Sequence, residues 1–273
     1  MKRALTVSVV TVVLASAALV AAQDKDALSR AKAKGVLTAC VDPYNFPFSA
    51  NDSDPPGFDI EVVRAIAQRG GMRAGYFWSD TGTRGGLGRA LRTSILKNKC
   101  DFFMGIPIGG DIDEEMKEKK LTLTRPYLGL GYILVVNGNE SNVTSLADLK
   151  HVKIGVPMST PVDAYLFDNG YERGLYVRNR EIIKALAQGE IRAGMVWSPA
   201  LAQGRVEFPD GKFRAVSNYT PEPGLRWNIA IAVPSSQPAM KQFLDDSIDA
   251  LIKSGEMKNI VEHYGFPYFS PFE

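Results

Sequence analysis

Apolar runs of strand length alternate with amphipathic stretches of helix length along most of this chain, and that alternation constrains the fold more than any other feature. A polar helical stretch at residues 24–35, closed by Gly35, leads into the strand-like run VLTACV at 36–41. Residues 58–71 place Ile60, Val63, Ile66 and Ala67 at helical spacing before a Gly-Gly stop. A strand at 72–78, a helix at 87–99 and an apolar strand at 100–109, breaking at Pro107, follow. Strand, helix, strand, helix, strand is the signature of a parallel sheet with crossover helices. A strand at 129–137 and a short Ser-capped helix at 145–150 precede a second round. It has a strand at 152–156, a helix from Pro161 toward Phe167, a strand at 174–177, a helix at 181–189 and a strand at 192–197. Strands at 213–217 and 227–233, an amphipathic helix at 238–255 and a shorter one at 256–265 complete the chain. Two successive units of similar size predict an α/β protein of two lobes. The first lobe spans 23–134, the second 135–226, and 227–273 returns to the first.

The first residues stand outside this pattern. Lys2 and Arg3 precede an uncharged apolar stretch from Ala4 to Ala22 that ends in small residues, the three-part layout of a secretory signal peptide, so residues 1–22 are excluded from the fold. No later segment reaches the roughly 18 uncharged apolar residues of a membrane span, so the mature chain is expected to be exported and free of one. Without Lys2 and Arg3 the remaining basic residues balance the 30 acidic ones. Basic stripes interleaved with aromatics are absent, which argues against a nucleic-acid partner. Both cysteines, Cys40 and Cys100, fall in the exported part, where an oxidising compartment permits a disulfide.

Residues 40–49, CVDPYNFPFS, gather aromatic surface and two prolines where the first strand stops. Open α/β sheets carry their functional loops at the carboxyl ends of strands, which makes Asp42, Tyr44, Asn45, Phe46 and Phe48 candidates for a cleft or a partner surface. Packing under the first helices accounts equally for Phe46 and Phe48. Catalysis is poorly supplied. The two histidines, His151 and His263, have no cysteine or carboxylate constellation near them in sequence, and no nucleophile elbow, phosphate loop or zinc spacing occurs. The acidic run Asp111, Asp113, Glu114 and Glu115 lacks EF-hand spacing and fits a helix start. Neither a metal nor another cofactor is expected.

The order of elements resembles family 3 periplasmic solute-binding proteins, two α/β lobes joined by crossing strands around a ligand cleft. The landmarks are Gly57-Phe58-Asp59, Lys99-Cys100-Asp101, Arg125-Pro126-Tyr127 and Ala187-Gln188-Gly189-Glu190, spread over residues 35–265. A narrower resemblance is to the quinoprotein-dehydrogenase-associated branch, the MoxJ/XoxJ-type proteins of methanol-oxidation systems. It is carried by Cys-x-Asp-Pro-x-Asn-x-Pro-Phe-Ser at 40–49, Cys-Asp-x-x-Met-Gly-x-Pro at 100–107, and Thr-Arg-Pro-Tyr at 124–127. Ile-Gly-Val followed by Thr160-Pro161, and Val-Trp-x-Pro at 196–199, complete it. Departures are Arg192, Ser159 and the stretch 83–92. The resemblance implies a non-catalytic periplasmic factor that binds a PQQ-dependent (methanol) dehydrogenase, with its cytochrome as a further partner, and assists its maturation or activation. The alternative is an ABC-transporter substrate-binding protein for a small organic solute that is not an amino acid.

Amino-acid-binding members of such a fold grip the ligand carboxylate with an Arg after the third strand, because a guanidinium is a bidentate receptor. Residues 106–120 contain none, and the second lobe's strand ends in Val196, Trp197 and Ser198 rather than an acid. Leaving a zwitterion's charges unpaired costs several kcal/mol, so a free amino acid is not the expected ligand. Pro107, Arg125 and Trp197 join the aromatic loop as cleft or partner candidates, although a hydrogen bond to loop carbonyls would also account for Arg125. Ser159 and Thr160, before Pro161, offer either backbone N–H groups to an anion or an ordinary cap by Thr160. The branch also carries cysteines at both positions, which implies a Cys40–Cys100 disulfide. Strand register argues against it, since Cys40 lies late in its strand and Cys100 opens another, and two buried thiols are the alternative.

Overall fold

The computed structural model describes residues 26–273, so the signal-peptide expectation lies outside the described residues. Helix α1 (Ala27–Lys34) starts where Asp26 Oδ1 accepts the Ser29 N–H at 3.0 Å and ends at a left-handed Gly35. It feeds β1 (Val36–Val41), a two-residue hairpin of β2 (Tyr44–Asn45) and β3 (Ser49–Ala50), α2 (Phe58–Arg69), β4 (Arg73–Trp78), α3 (Gly86–Thr93) and β5 (Phe102–Pro107). The chain continues through α4 (Asp111–Glu118), β6 (Leu121–Leu123), β7 (Leu128–Asn137), β8 (Ile154–Pro157), α5 (Pro161–Asp168), β9 (Arg173–Tyr176), α6 (Asn179–Ala187), β10 (Ala193–Trp197) and α7 (Ala200–Glu207). It closes with β11 (Phe213–Ala215), β12 (Arg226–Pro234), α8 (Pro238–Ser254) and α9 (Glu256–His263).

All strands except the β2–β3 pair form one mixed sheet in the order β4-β1-β5-β12-β7-β10-β8-β9, with β6 on β12 and β11 on β7. Each half contains a parallel trio. β1 runs parallel to β4 and β5, and β8 parallel to β9 and β10. The antiparallel strands β7 and β12 join the halves. Residues Leu128 to Gly131 of β7 pair with β12, whereas Tyr132 to Val136 pair with β10. The partner therefore changes between Gly131 and Tyr132, where the Tyr132 N–H also donates to Leu225 O at 2.9 Å. Helices cover both halves by their apolar stripes; α8 buries Met240, Leu244, Ile248 and Leu251 at helical spacing.

One local departure from the sequence reading, and two expectations that the structure meets, have physical causes. The helix expected over 87–99 breaks at Ser94, whose hydroxyl donates to Ala90 O at 2.6 Å, and a 3-10 turn (Ile95–Lys97) follows. The acids Asp111, Asp113 and Glu114 fall inside the first turn of α4, where they favour the helix dipole, and Asp113 Oδ1 accepts the Gly109 N–H. The register objection to the disulfide dissolves. Cys40 pairs in the ladder with Phe103, while Cys100 precedes β5 and is free of it, so the two Cα atoms stand 5.5 Å apart and the bridge forms. Asp101 takes the vacated ladder place, its carboxylate accepting the Thr38 N–H at 2.8 Å. Among the described residues no helix is long and apolar enough to cross a membrane.

Candidate functional site

The loop after β1 is held chiefly through Asp42. Asp42 Oδ1 accepts the Tyr44 N–H at 2.7 Å, Asp42 Oδ2 accepts the N–H and hydroxyl of Thr81, and the Ser49 hydroxyl donates to Asp42 O. Gly57 passes so close that a Cβ there would meet Phe48 O at 2.4 Å, and with φ +112 the position requires glycine. That contact seats Phe48 against Phe58, ring centroids 4.7 Å apart, at the start of α2.

Phe48 and Asn45 thereby reach a cavity of about 460 Å³ between the halves of the sheet, together with Gly105 and Pro107 of β5. The facing wall comes from the joining strands and β10. Trp197 ends β10 opposite Tyr132 of β7, and Trp227 lies on β12. The three rings meet edge to face, with centroids at 5.6 Å (Trp197 to Trp227), 5.7 Å (Tyr132 to Trp197) and 6.3 Å (Tyr132 to Trp227). Each is only partly buried, so the triad presents aromatic surface to the cavity.

Two smaller spaces adjoin it. One, of about 200 Å³, shares Asn45, Phe48, Gly105 and Pro107 and runs back to Asp42, Asp59 and Thr81. Asp59 is 2% exposed, and burial pushes its carboxyl up to about 7 against the opposing effect of the Tyr127 hydroxyl that donates to it. The other, of about 360 Å³, sets Phe46 and Pro47 against Arg178, Arg180 and Gln203. There the Gln203 side chain donates to Phe46 O at 2.7 Å, and Arg180 is committed to Glu207. No Lys, Arg or His lines the 460 Å³ or the 200 Å³ space among the described residues. Nor do the described residues hold a cluster of three or more His, Cys, Asp or Glu suited to a metal.

The sequence candidates thus divide. Asn45, Phe48, Pro107 and Trp197 converge on the large cavity. Phe46 belongs to the adjoining groove and packs on Tyr264 at 6.0 Å. Tyr44 lines none of the three spaces and is 82% exposed, because the hairpin turns its side chain outward. Arg125 is drawn to α8 instead of the cavity, with its guanidinium on Asp249 and its backbone N–H on Asp245 Oδ1 at 2.8 Å. At the turn before α5, Thr160 donates to Pro157 O rather than capping, and the Ser159 N–H is already taken by Asp163 Oδ2 at 2.9 Å. Pro161 alone of that turn reaches the cavity. Tyr132, Trp227 and Gly105 were not singled out from sequence. For the two aromatics the available signal was a single ring in each of two long, mostly apolar strands.

The model of the bacterial extracellular solute-binding proteins, family 3, matches residues 37–267. The L-cystine-binding protein TcyJ of Escherichia coli (strain K12) is 25% identical over 248 residues, which cover 88% of this chain and 86% of that protein. The L-cystine solute receptor of Neisseria gonorrhoeae, in its unliganded open conformation, superposes with a TM-score of 0.71 at 17% identity, covering 90% of this chain and 99% of that one. An ancestral cyclohexadienyl dehydratase superposes with a TM-score of 0.67 at 18% identity, covering 88% of this chain and 96% of that one. These likenesses give the α/β periplasmic-binding-protein-like fold.

Proposed function

The chain belongs to the bacterial extracellular solute-binding proteins, family 3, and we propose that within that family it is a periplasmic, non-catalytic accessory factor that binds a PQQ-dependent alcohol dehydrogenase and assists its maturation or activation. In this reading residues 23–134 and 227–273 make the first lobe, 135–226 the second, and the aromatic cavity lies in the cleft between them. The observation that carries it is the composition of that cavity, three aromatic rings with no basic side chain among its lining residues. A free amino acid entering it would find nothing to offset its carboxylate. Uptake of amino acids, the business suggested by the cystine-binding relatives, is therefore a poor fit. Partly exposed aromatic surface suits a protein anchor or an apolar ligand. The resemblance of five ordered motifs to the dehydrogenase-associated branch supports this choice of partner, and the Asp42-braced loop at 40–49 carries one of them.

Capture of partners from periplasmic extract on the mature protein tests this. The expected catch is a quinoprotein dehydrogenase, with or without its cytochrome. A permease with its ATPase would instead establish the second reading, a transport receptor for a small organic solute, which the likeness to the cystine-binding protein favours.

A further inference from the structure

The 200 Å³ chamber behind the aromatic cavity has a buried carboxyl on its floor with one oxygen unengaged. Asp59, at the start of α2, gives Oδ1 to the Tyr127 hydroxyl at 2.7 Å, and Oδ2 accepts no hydrogen bond among the described residues. A Cβ built on Gly105 would stand 3.4 Å from that Oδ2. The glycine, at φ +76, keeps the space beside it open on the rim that the chamber shares with the cavity. Asp42 has both oxygens engaged by Tyr44 and Thr81, so it adds negative field without competing as an acceptor. A buried carboxylate with one neutral donor is costly when ionised, and it is relieved by a proton or by an entering cation.

We propose that this chamber seats an ammonium group, so that the small ligand of the cleft is an organic amine lacking a carboxylate. Its ammonium docks on Asp59 Oδ2, and its apolar or aromatic body lies against Trp197 and Trp227. The inference rests on the cavity reading given above, that free amino acids are excluded, and adds the chemical class that is admitted. The elevated Asp59 carboxyl is consistent with a group awaiting a cation, since an ammonium beside it would favour the ionised form.

Four probes with the same ring test it by calorimetry on the mature wild-type protein: phenethylamine, 2-phenylethanol, 3-phenylpropionate and phenylalanine. The expected order is phenethylamine at least about tenfold tighter than the alcohol, with the propionate weakest. Asp59→Asn is expected to bring the amine down to the affinity of the alcohol, and Trp197→Ala to weaken both alike. Equal affinity of amine and alcohol, tighter binding of the propionate, or no binding by any probe overturns the subsite. The charge series needs no variant, so it decides the matter even where Asp59→Asn fails to fold. Tight binding of phenylalanine overturns the exclusion of amino acids. The comparison of amine with alcohol is read separately, so the two failures are distinguishable.

Discussion

The Tyr127 hydroxyl donates to Asp59 Oδ1 across 2.7 Å with both residues out of solvent, tying the approach to β7 to the first turn of α2. One neutral donor does not replace the water an ionised carboxylate loses, and burial raises the Asp59 carboxyl from 3.8 to about 7. The folded protein therefore holds a proton that the unfolded chain has released between those values. This contribution to stability is fully present below pH 3.8, declines as pH rises, and is lost above about 7. Its full size is roughly 4 kcal/mol, at about 1.4 kcal/mol per pH unit. Asp59→Asn, which still offers Tyr127 an acceptor, is expected to match the wild type near pH 4 and to melt at a higher temperature at pH 8. Parallel melting curves for the two proteins across that range would refute the account.

The Cys40–Cys100 bridge closes a loop with a sequence separation of 60 inside an apolar cluster that includes Leu91, Ile95 and Phe103. In the chain-entropy description a loop of that length stabilises the native state by about 4 kcal/mol. Protein purified without reductant and alkylated while unfolded is expected to yield no labelled thiol. The Cys40→Ser, Cys100→Ser double variant is expected to lose several degrees of thermal stability. Two alkylated cysteines, or an unchanged melting temperature, would count against the structural role.

Legibility from sequence followed the range of the interactions. Helices and strands were readable because their signals are local: apolar spacing in α8, the glycine after α1, the Ser145 capping box whose Asp148 carboxylate accepts the Ser145 N–H. The hairpin at Tyr44 and the short β6 carry too few residues for any period to emerge. The aromatic wall failed for a different reason. Tyr132 follows Gly131 in a mostly aliphatic strand and Trp227 stands between Arg226 and Asn228 at the start of its own, and only the pairing of β7 with β10 and β12 brings their rings to a shared space. Arg125 shows the same limit, since its destination is Asp249, 124 residues further along.

Free amino acids are expected not to bind at micromolar concentration. Cystine belongs in the screen because the curated relative is named for binding it. The physical ground is that neither the aromatic cavity nor the acidic chamber has a basic lining residue, so a carboxylate would be desolvated against Asp59 and aromatic faces. Calorimetry across the common amino acids and cystine checks this, and one micromolar isotherm would defeat it.

Trp197 and Tyr44 are the two large aromatics that separate cleft recognition from surface recognition. Trp197 contacts Tyr132 and Trp227 and lines the cavity, whereas Tyr44 projects into solvent. If the dehydrogenase is engaged through the cleft, Trp197→Ala is expected to weaken its capture by about 1 to 2 kcal/mol, roughly a tenfold loss or more, and Tyr44→Ala to leave it unchanged. Trp197→Ala also removes two ring contacts, so a stability loss of about 1 to 3 kcal/mol accompanies it. Trp197→Phe, which keeps a ring in place, is expected to recover most of that stability. The reverse pattern, capture lost in Tyr44→Ala and kept in Trp197→Ala, would move the partner surface from the cleft to the hairpin after β1. Surface plasmon resonance with the purified dehydrogenase, alongside thermal melts of all three variants, separates lost contacts from lost fold.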